Sequence, residues 1–149
     1  MVPNEPQESA RQIIGRILWM SRQHRQRVVQ RLEKIDLGGG EAPILMQLSF
    51  HGEMNQRELA EHIGVTPATV SQSLKAMVKK GLVERFEDET DARVFRLKLT
   101  GLGMEKRREA EQVFAQVDQE ILSTLDISEQ DQLAGLLLKL ETYMRGEDT

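Results

Sequence analysis

A glycine between two short amphipathic segments constrains this chain more than any other feature. Asn55-Gln-Arg-Glu58 predicts a helix start, since Asn55 can cap the helix while Glu58 returns to the Asn55 amide. Leu59, Ala60 and Ile63 then form the buried stripe of a short helix. Gly64 follows, the residue that most easily takes the left-handed conformation ending a helix. Thr66-Pro67 restarts the chain, with threonine as N-cap and proline at the first helical position. Val70, Leu74, Met77 and Val78 recur at helical spacing and are expected to be buried. The opposite side carries Ala68, Thr69, Gln72, Lys75 and Lys79, with Ser71 and Ser73 on the flanks. That face is small, polar and basic, whereas an ordinary solvated helix mixes both signs. Two helices joined in this way match the unit that enters a DNA major groove.

A hairpin is predicted next. Gly81 ends the second helix, and Val94, Arg96 and Lys98 alternate with Phe95, Leu97 and Leu99 as a strand does. The stretch 81–86 is its partner, and the acidic stretch 87–93 is the tip.

The ordered series Thr69-Val-Ser-Gln-Ser-Leu74, Lys80-Gly-Leu-Val-Glu84, Asp91-Ala-Arg93 and Leu97-Lys-Leu99-Thr100-Gly101 resembles the MarR (multiple antibiotic resistance regulator) family of bacterial transcription factors. The resemblance covers most of the chain and is sharpest from about Asn55 to Gly103. It implies a mainly α, α+β winged-helix fold. A winged helix-turn-helix DNA-binding domain at 41–100 (helix-turn-helix about 55–80, wing about 83–99) would sit between an N-terminal dimerisation helix in 1–36 and C-terminal dimerisation helices in 101–149.

The formal charge of −4 suits a DNA binder only when divided along the chain. Residues 1–54 carry seven basic and six acidic side chains, and residues 55–100 eight and seven. Residues 101–149 carry five and eleven, so the acidity lies mostly outside the predicted DNA-binding unit. Glu87, Asp88, Glu89 and Asp91 still crowd the wing, and moderate, salt-sensitive binding is expected.

Residues 1–6 read as a loose leader, and a long helix is expected from Gln7 to about Ile35. Ile13, Ile14, Ile17, Leu18, Val28, Val29 and Leu32 lie on its apolar side, and Arg22, Arg25, Arg27 and Arg31 form a basic run best read as a solvated face. Leu37-Gly-Gly-Gly40 is a linker. A short helix at about 42–50 buries Ile44, Leu45 and Leu48. Thr100 caps a long helix through roughly Leu122, and Ser128 caps a last one in which Leu133, Leu136, Leu137, Leu140 and Met144 repeat. The terminal helices carry more apolar face than one small winged unit covers. They either pack on their own domain or interleave with a second copy, and the resemblance implies the homodimer.

Thr66 and Thr69 are placed to hold phosphate, and Ala68 to approach a thymine methyl. Ser71 and Gln72 are candidates for base edges, Gln72 pairing with adenine and favouring an A/T-weighted half-site. Lys75 and Lys79 read as phosphate neighbours or as merely solvated, and Gln56 completes the DNA-facing set. The family often carries arginine where Gln72 stands, a second basic residue at Ala92 and a proline near Glu89; all three are absent. The resemblance assigns Arg93 to the minor groove, with Asp91 supporting the wing. The plainer reading is a surface pair of Asp91 with Arg93 or Arg85. The resemblance also implies a small, often phenolic or aromatic effector between the dimer helices and the winged domain. Trp19, Met20, Met46 and Phe50 are candidate lining, though core packing accounts for them equally well.

Nothing in the residues supports an enzyme, a cofactor or a metal. There is no cysteine, no nucleophile-elbow serine and no phosphate loop, and His24, His51 and His62 are dispersed. No apolar run approaches membrane-spanning length and no signal peptide is evident, so a cytoplasmic protein is expected. The expected function is a sequence-specific transcriptional regulator, a homodimeric repressor on a palindromic operator, released by a small molecule. The alternatives are a winged helix used for protein contact without DNA, and a metal-responsive regulator.

Overall fold

Ser9 opens the first helix, α1 (Ala10–Glu33), through a capping box: its hydroxyl accepts from the Gln12 amide, and the Gln12 side chain accepts from the Ser9 amide at 2.8 Å. The computed structural model describes residues 8–146, so the expected leader at 1–6 and the Gln7 helix start lie outside the described residues. Near its C-terminal end α1 turns Val28 and Leu32 into the core. Its N-terminal half leaves Ile13, Ile14, Ile17 and Leu18 between 37% and 55% exposed.

Leu37, fully buried, leads through the triglycine into α2 (Glu41–His51), which buries Ala42, Ile44, Leu45 and Leu48. Next comes a strand too short to show any alternation, β1 (Met54–Asn55). In α3 (Gln56–Ile63) the Asn55–Glu58 capping box forms as its spacing predicts, with both bonds at 2.8 Å. Gly64 ends the helix at φ 78°, ψ 34°, in the left-handed region. Thr66 then caps α4 (Pro67–Lys79), with proline in the first turn.

Val70, Leu74 and Met77 of α4 are buried. Val78 is not: it is 45% exposed, which corrects the sequence expectation. Each helical residue turns about 100° from the last, so a stripe centred on Met77 leaves its neighbour at the edge.

Strands β2 (Val83–Glu87) and β3 (Phe95–Leu99) form the hairpin, with Arg85 opposite Leu97 and Glu87 opposite Phe95. Pairing of Met54 with Leu97 adds β1 to the other edge, giving an antiparallel sheet of order β1-β3-β2. Thr100 caps α5 (Gly101–Leu122), accepting from the Gly103 amide at 3.0 Å while its hydroxyl donates to the Gly81 carbonyl. The cap of α6 (Ile127–Arg145) is Asp126 rather than the expected Ser128. Asp126-Ile-Ser-Glu129 closes a full capping box, whereas Ser128 is followed at the third position only by the shorter Asp131.

The chain divides into two compact units, one ending at Phe114 and the other beginning at Ala115. Within the first, Leu32, Leu37, Ile44, Leu45, Leu48, Leu59, Met77 and Leu82 form the core. In the second, no residue of α6 is buried, and Leu136, Leu138, Leu140, Tyr143 and Met144 are exposed. Among the described residues, no helix is long and apolar enough to cross a membrane.

Candidate nucleic-acid interface

The start of α4 is exposed from Thr66 to Thr69. Thr66 accepts from the Thr69 amide at 3.3 Å, and the two hydroxyls share a hydrogen bond of 2.9 Å, so one threonine orders the other. Gln56 donates from Nε2 to the Pro67 carbonyl at 2.9 Å. That bond braces the start of α3 against the start of α4. Ala68 and Gln72 are exposed on the same helix, and Ser71 is half-buried.

An open groove runs between α4 and the wing. Leu74, Val78 and Phe95 line it, which is where Val78 finds its place, and Arg57, Lys75, Arg85 and Arg93 give it four cations. The Arg85 guanidinium stacks 3.8 Å from the centre of the Phe95 ring, which holds it in place without neutralising it. Arg57 pairs with Glu61 at 3.1 Å on an exposed helical turn, a weak contact. Among the described residues, Lys75, Arg85 and Arg93 form no ion pair, and Gln72 makes no side-chain hydrogen bond.

The wing tip is organised by Asp88, a residue that sequence reasoning missed. Its Oδ1 accepts from the Thr90 hydroxyl at 2.6 Å and from the amides of Thr90 and Asp91 at 2.8 and 3.2 Å. Oδ2 lies 3.5 Å from Arg96, whose guanidinium also donates to the Glu53 carbonyl at 2.8 Å. The available signal was the Asp88-Glu-Thr90 spacing, because an aspartate readily bonds the backbone two residues on. Asp91 accepts from the Arg93 amide at 3.0 Å. No ion pair of the described residues joins Asp91 to Arg93 or Arg85, so its contact with the arginine is through the backbone.

The Thr90 hydroxyl, then the Thr90 amide, holds the Asp88 carboxyl down at about 2. A depressed carboxyl contributes stability above its unfolded value, roughly 3.9, that is lost as pH falls through its folded value. The wing turn should therefore persist at pH 4 and loosen toward pH 2. Following the Asp88 carboxyl carbon by NMR should give a midpoint near 2, with the Thr90 amide shifting in step. A midpoint in the ordinary aspartate range would show that the turn does not form in solution.

Of the candidate effector lining, Met20 of α1 is 48% exposed and Met46 of α2 is half-buried. Trp19, 57% exposed, lies beside Gln12 and Arg16 on the surface of α1, and Phe50 is 86% exposed at the end of α2. A separate cavity of about 670 Å³ is lined by α1 through Val28, Val29 and Leu32, by Ile44 and Gln47 of α2, and by Val70 and Ser73 of α4. His51 and His62, dispersed in sequence, meet with ring centres 4.7 Å apart, and the His62 Nδ1 sits 2.8 Å from the Glu58 carbonyl. Among the described residues, no group of three or more potential metal ligands forms.

The profile of the MarR family matches residues 40–95, which contain α2, α3, α4 and β2 and end at the first residue of β3. The HTH-type transcriptional regulator BilQ of Clostridium symbiosum is 34% identical over 86 residues, covering 58% of this chain and 60% of BilQ. The chain thus spans three fifths of that relative's length. The uncharacterised HTH-type transcriptional regulator YdcH of Bacillus subtilis is 31% identical over 134 residues, 85% of this chain and 90% of YdcH. Among solved structures, a mutant MarR from E. coli complexed with operator DNA has a TM-score of 0.70 at 25% identity, covering 90% of this chain and 99% of that one.

Proposed function

The chain belongs to the MarR family, and from that premise we propose that it is a homodimeric repressor. It binds a palindromic operator through one winged helix-turn-helix per subunit. The observation that carries this reading is the groove between α4 and the wing, where Lys75, Arg85 and Arg93 stand unpaired beside the polar start of the helix. In this reading Thr66, Thr69 and Lys75 hold phosphate, Ala68 meets a thymine methyl, and Ser71 and Gln72 read base edges. Gln56 positions the start of α4, and Arg93 enters the minor groove on a turn that Asp91 and Asp88 shape. Residues 41–100 form the DNA-binding part, with residues 1–36 and 101–149 supplying the dimer helices. The role is binding rather than catalysis.

An effector, in this reading, occupies the cavity beside Val29 and Ser73 rather than the Trp19, Met20, Met46 and Phe50 set. It releases DNA only if it binds the two conformations with unequal affinity.

Selection from random duplex DNA at modest salt tests the proposal. An inverted repeat bound by two chains is the expected product. Arg93→Ala should weaken binding to it about tenfold or more and flatten the salt dependence by about one counterion per subunit, about two for the dimer. Gln72→Ala should erase the preference for adenine at one position per half-site. A folded dimer that enriches nothing at low salt, with or without small aromatic acids, would instead support a protein-contact module.

A further inference from the structure

The triglycine linker is not a free hinge. Glu41, at its end, is only 6% exposed although charged. Its carboxylate accepts from the Gly38 amide at 2.9 Å and from the Lys80 ammonium at 2.9 and 3.1 Å. Lys80 is the C-cap of α4, the helix assigned to the major groove. The same ammonium donates to the Asp36 carbonyl at 2.8 Å, with the Asp36 carboxylate 3.6 Å away. Burial opposes the charge on Lys80, but its bonds to Glu41 and Asp36 outweigh that and raise its pKa above the ordinary lysine value.

Two further contacts tighten the junction. A Cβ on Gly40 would stand 2.7 Å from the Ser73 hydroxyl of α4, and one on Gly39 would stand 3.1 Å from Val29 of α1. The linker therefore lies against both helices. On the far side Lys106 of α5 donates to the Ile35 carbonyl at 2.8 Å. Two lysines from different elements thus cap consecutive carbonyls just past the end of α1, where the helix dipole favours cations.

A buried ion pair is weak evidence for stability, because desolvation offsets much of the attraction, while its directional bonds fix geometry. We propose that Lys80 and Glu41 form a positioning clamp that locks the recognition helix to the end of α1 and so sets the gap between half-sites the dimer accepts. The inference rests on the DNA-binding reading and on α1 belonging to the dimer. One base pair of extra gap rotates a half-site by about a tenth of a turn. A subunit with a fixed recognition helix rejects it, whereas a loosened one follows.

The test uses the full chain and a library of inverted repeats differing only in gap length. Wild type should accept one gap and disfavour its neighbours by about tenfold or more. The Glu41→Gln, Lys80→Met double variant orphans no buried charge and should bind the neighbouring gaps nearly as well as the original. Its affinity for a single half-site should equal that of wild type. Glu41→Gln alone keeps acceptors for Gly38 and Lys80, and serves with a smaller broadening should the double variant not fold. A variant with a lower unfolding temperature but an unchanged gap preference would make the pair merely structural and overturn the clamp. Loss of single half-site affinity would overturn it too, by placing Lys80 on the DNA. Selection of no inverted repeat by wild type would sink the DNA reading and the clamp with it; a fixed gap in wild type and variants alike would sink only the clamp.

Discussion

A chain carrying Ile14→Asp and Leu18→Asp should sediment as a monomer and bind its operator about two to four orders of magnitude more weakly than wild type. Ile14 and Leu18 lie one turn apart on α1, 50% and 55% exposed, with Ile17 between them at 37%. Contiguous apolar area of this kind is uncommon on a monomer and marks an interaction surface. A palindromic site asks for a two-fold partner, and a self-complementary patch on a helix supplies one. Once two winged units are joined, the second half-site is met at an effective concentration near millimolar, and separating the subunits forfeits that gain. The winged unit itself should stay folded, because α1 is anchored by Val28 and Leu32 at its other end. Sedimentation velocity with parallel operator titrations checks the result. A dimeric variant, or a monomer with undiminished operator affinity, would show that α1 is not the partner surface.

The elements legible in the sequence are those whose chemistry closes within four residues. The Asn55–Glu58 box, the Gly64 turn and the Thr66-Pro67 restart need no tertiary information, and all three form. β3 is legible too, since strand side chains repeat every second residue, although of Phe95, Leu97 and Leu99 only Leu97 is buried. Where two local solutions compete, pattern alone misleads, as at Asp126 and Ser128. Where the deciding contact is distant, the pattern is silent. β1 exists because Met54 meets Leu97. Gly38-Gly-Gly40 reads as slack chain, yet two of its glycines are close to Val29 and Ser73, which a linear reading has no means to register.

Charge shows the same division. A segment count makes the wing look hostile to DNA. In the fold, Asp88 is occupied by Thr90, Asp91 and Arg96, Glu84 lies 3.0 Å from Lys98, and Arg96 also reaches Glu53 at 3.7 Å. These pairs join acids to bases on the same small sheet, so they cancel at short range. Charges in excess act over about a Debye length, roughly 8 Å at physiological salt. The charged groups lining the groove are cations, Arg57, Lys75, Arg85 and Arg93, while Glu87, opposite Phe95, and Asp91, bonded to the Arg93 amide, lie beside it on the wing. Positive charge is thus concentrated along the groove rather than over the wing as a whole, and DNA binding there should be sensitive to salt.

Gly103→Ala should cost roughly 3 kcal/mol, at the upper end for overpacking a filled site. Gly103 is buried in the first turn of α5, and a Cβ there would stand 2.0 Å from the Leu82 carbonyl oxygen and 3.0 Å from its carbon. Both obstacles are backbone, so no rotamer change relieves them. The same carbonyl accepts from the Thr100 amide at 3.1 Å, and Thr100 caps α5 through the Gly103 amide. The added methyl must therefore push the start of α5 away from the base of the wing, and the cap and the Leu82 bond are strained together. For a chain of this size the unfolding temperature should drop by about 6–12 °C. Gly135→Ala is the control: its Cβ meets nothing within 4 Å, and an alanine within α6 should raise stability by about 0.4–1 kcal/mol. Both are read by thermal unfolding at one protein concentration, because a dimer's midpoint moves with mass action. A Gly103→Ala protein melting within about 2 °C of wild type would mean that α5 does not approach Leu82 this closely in solution.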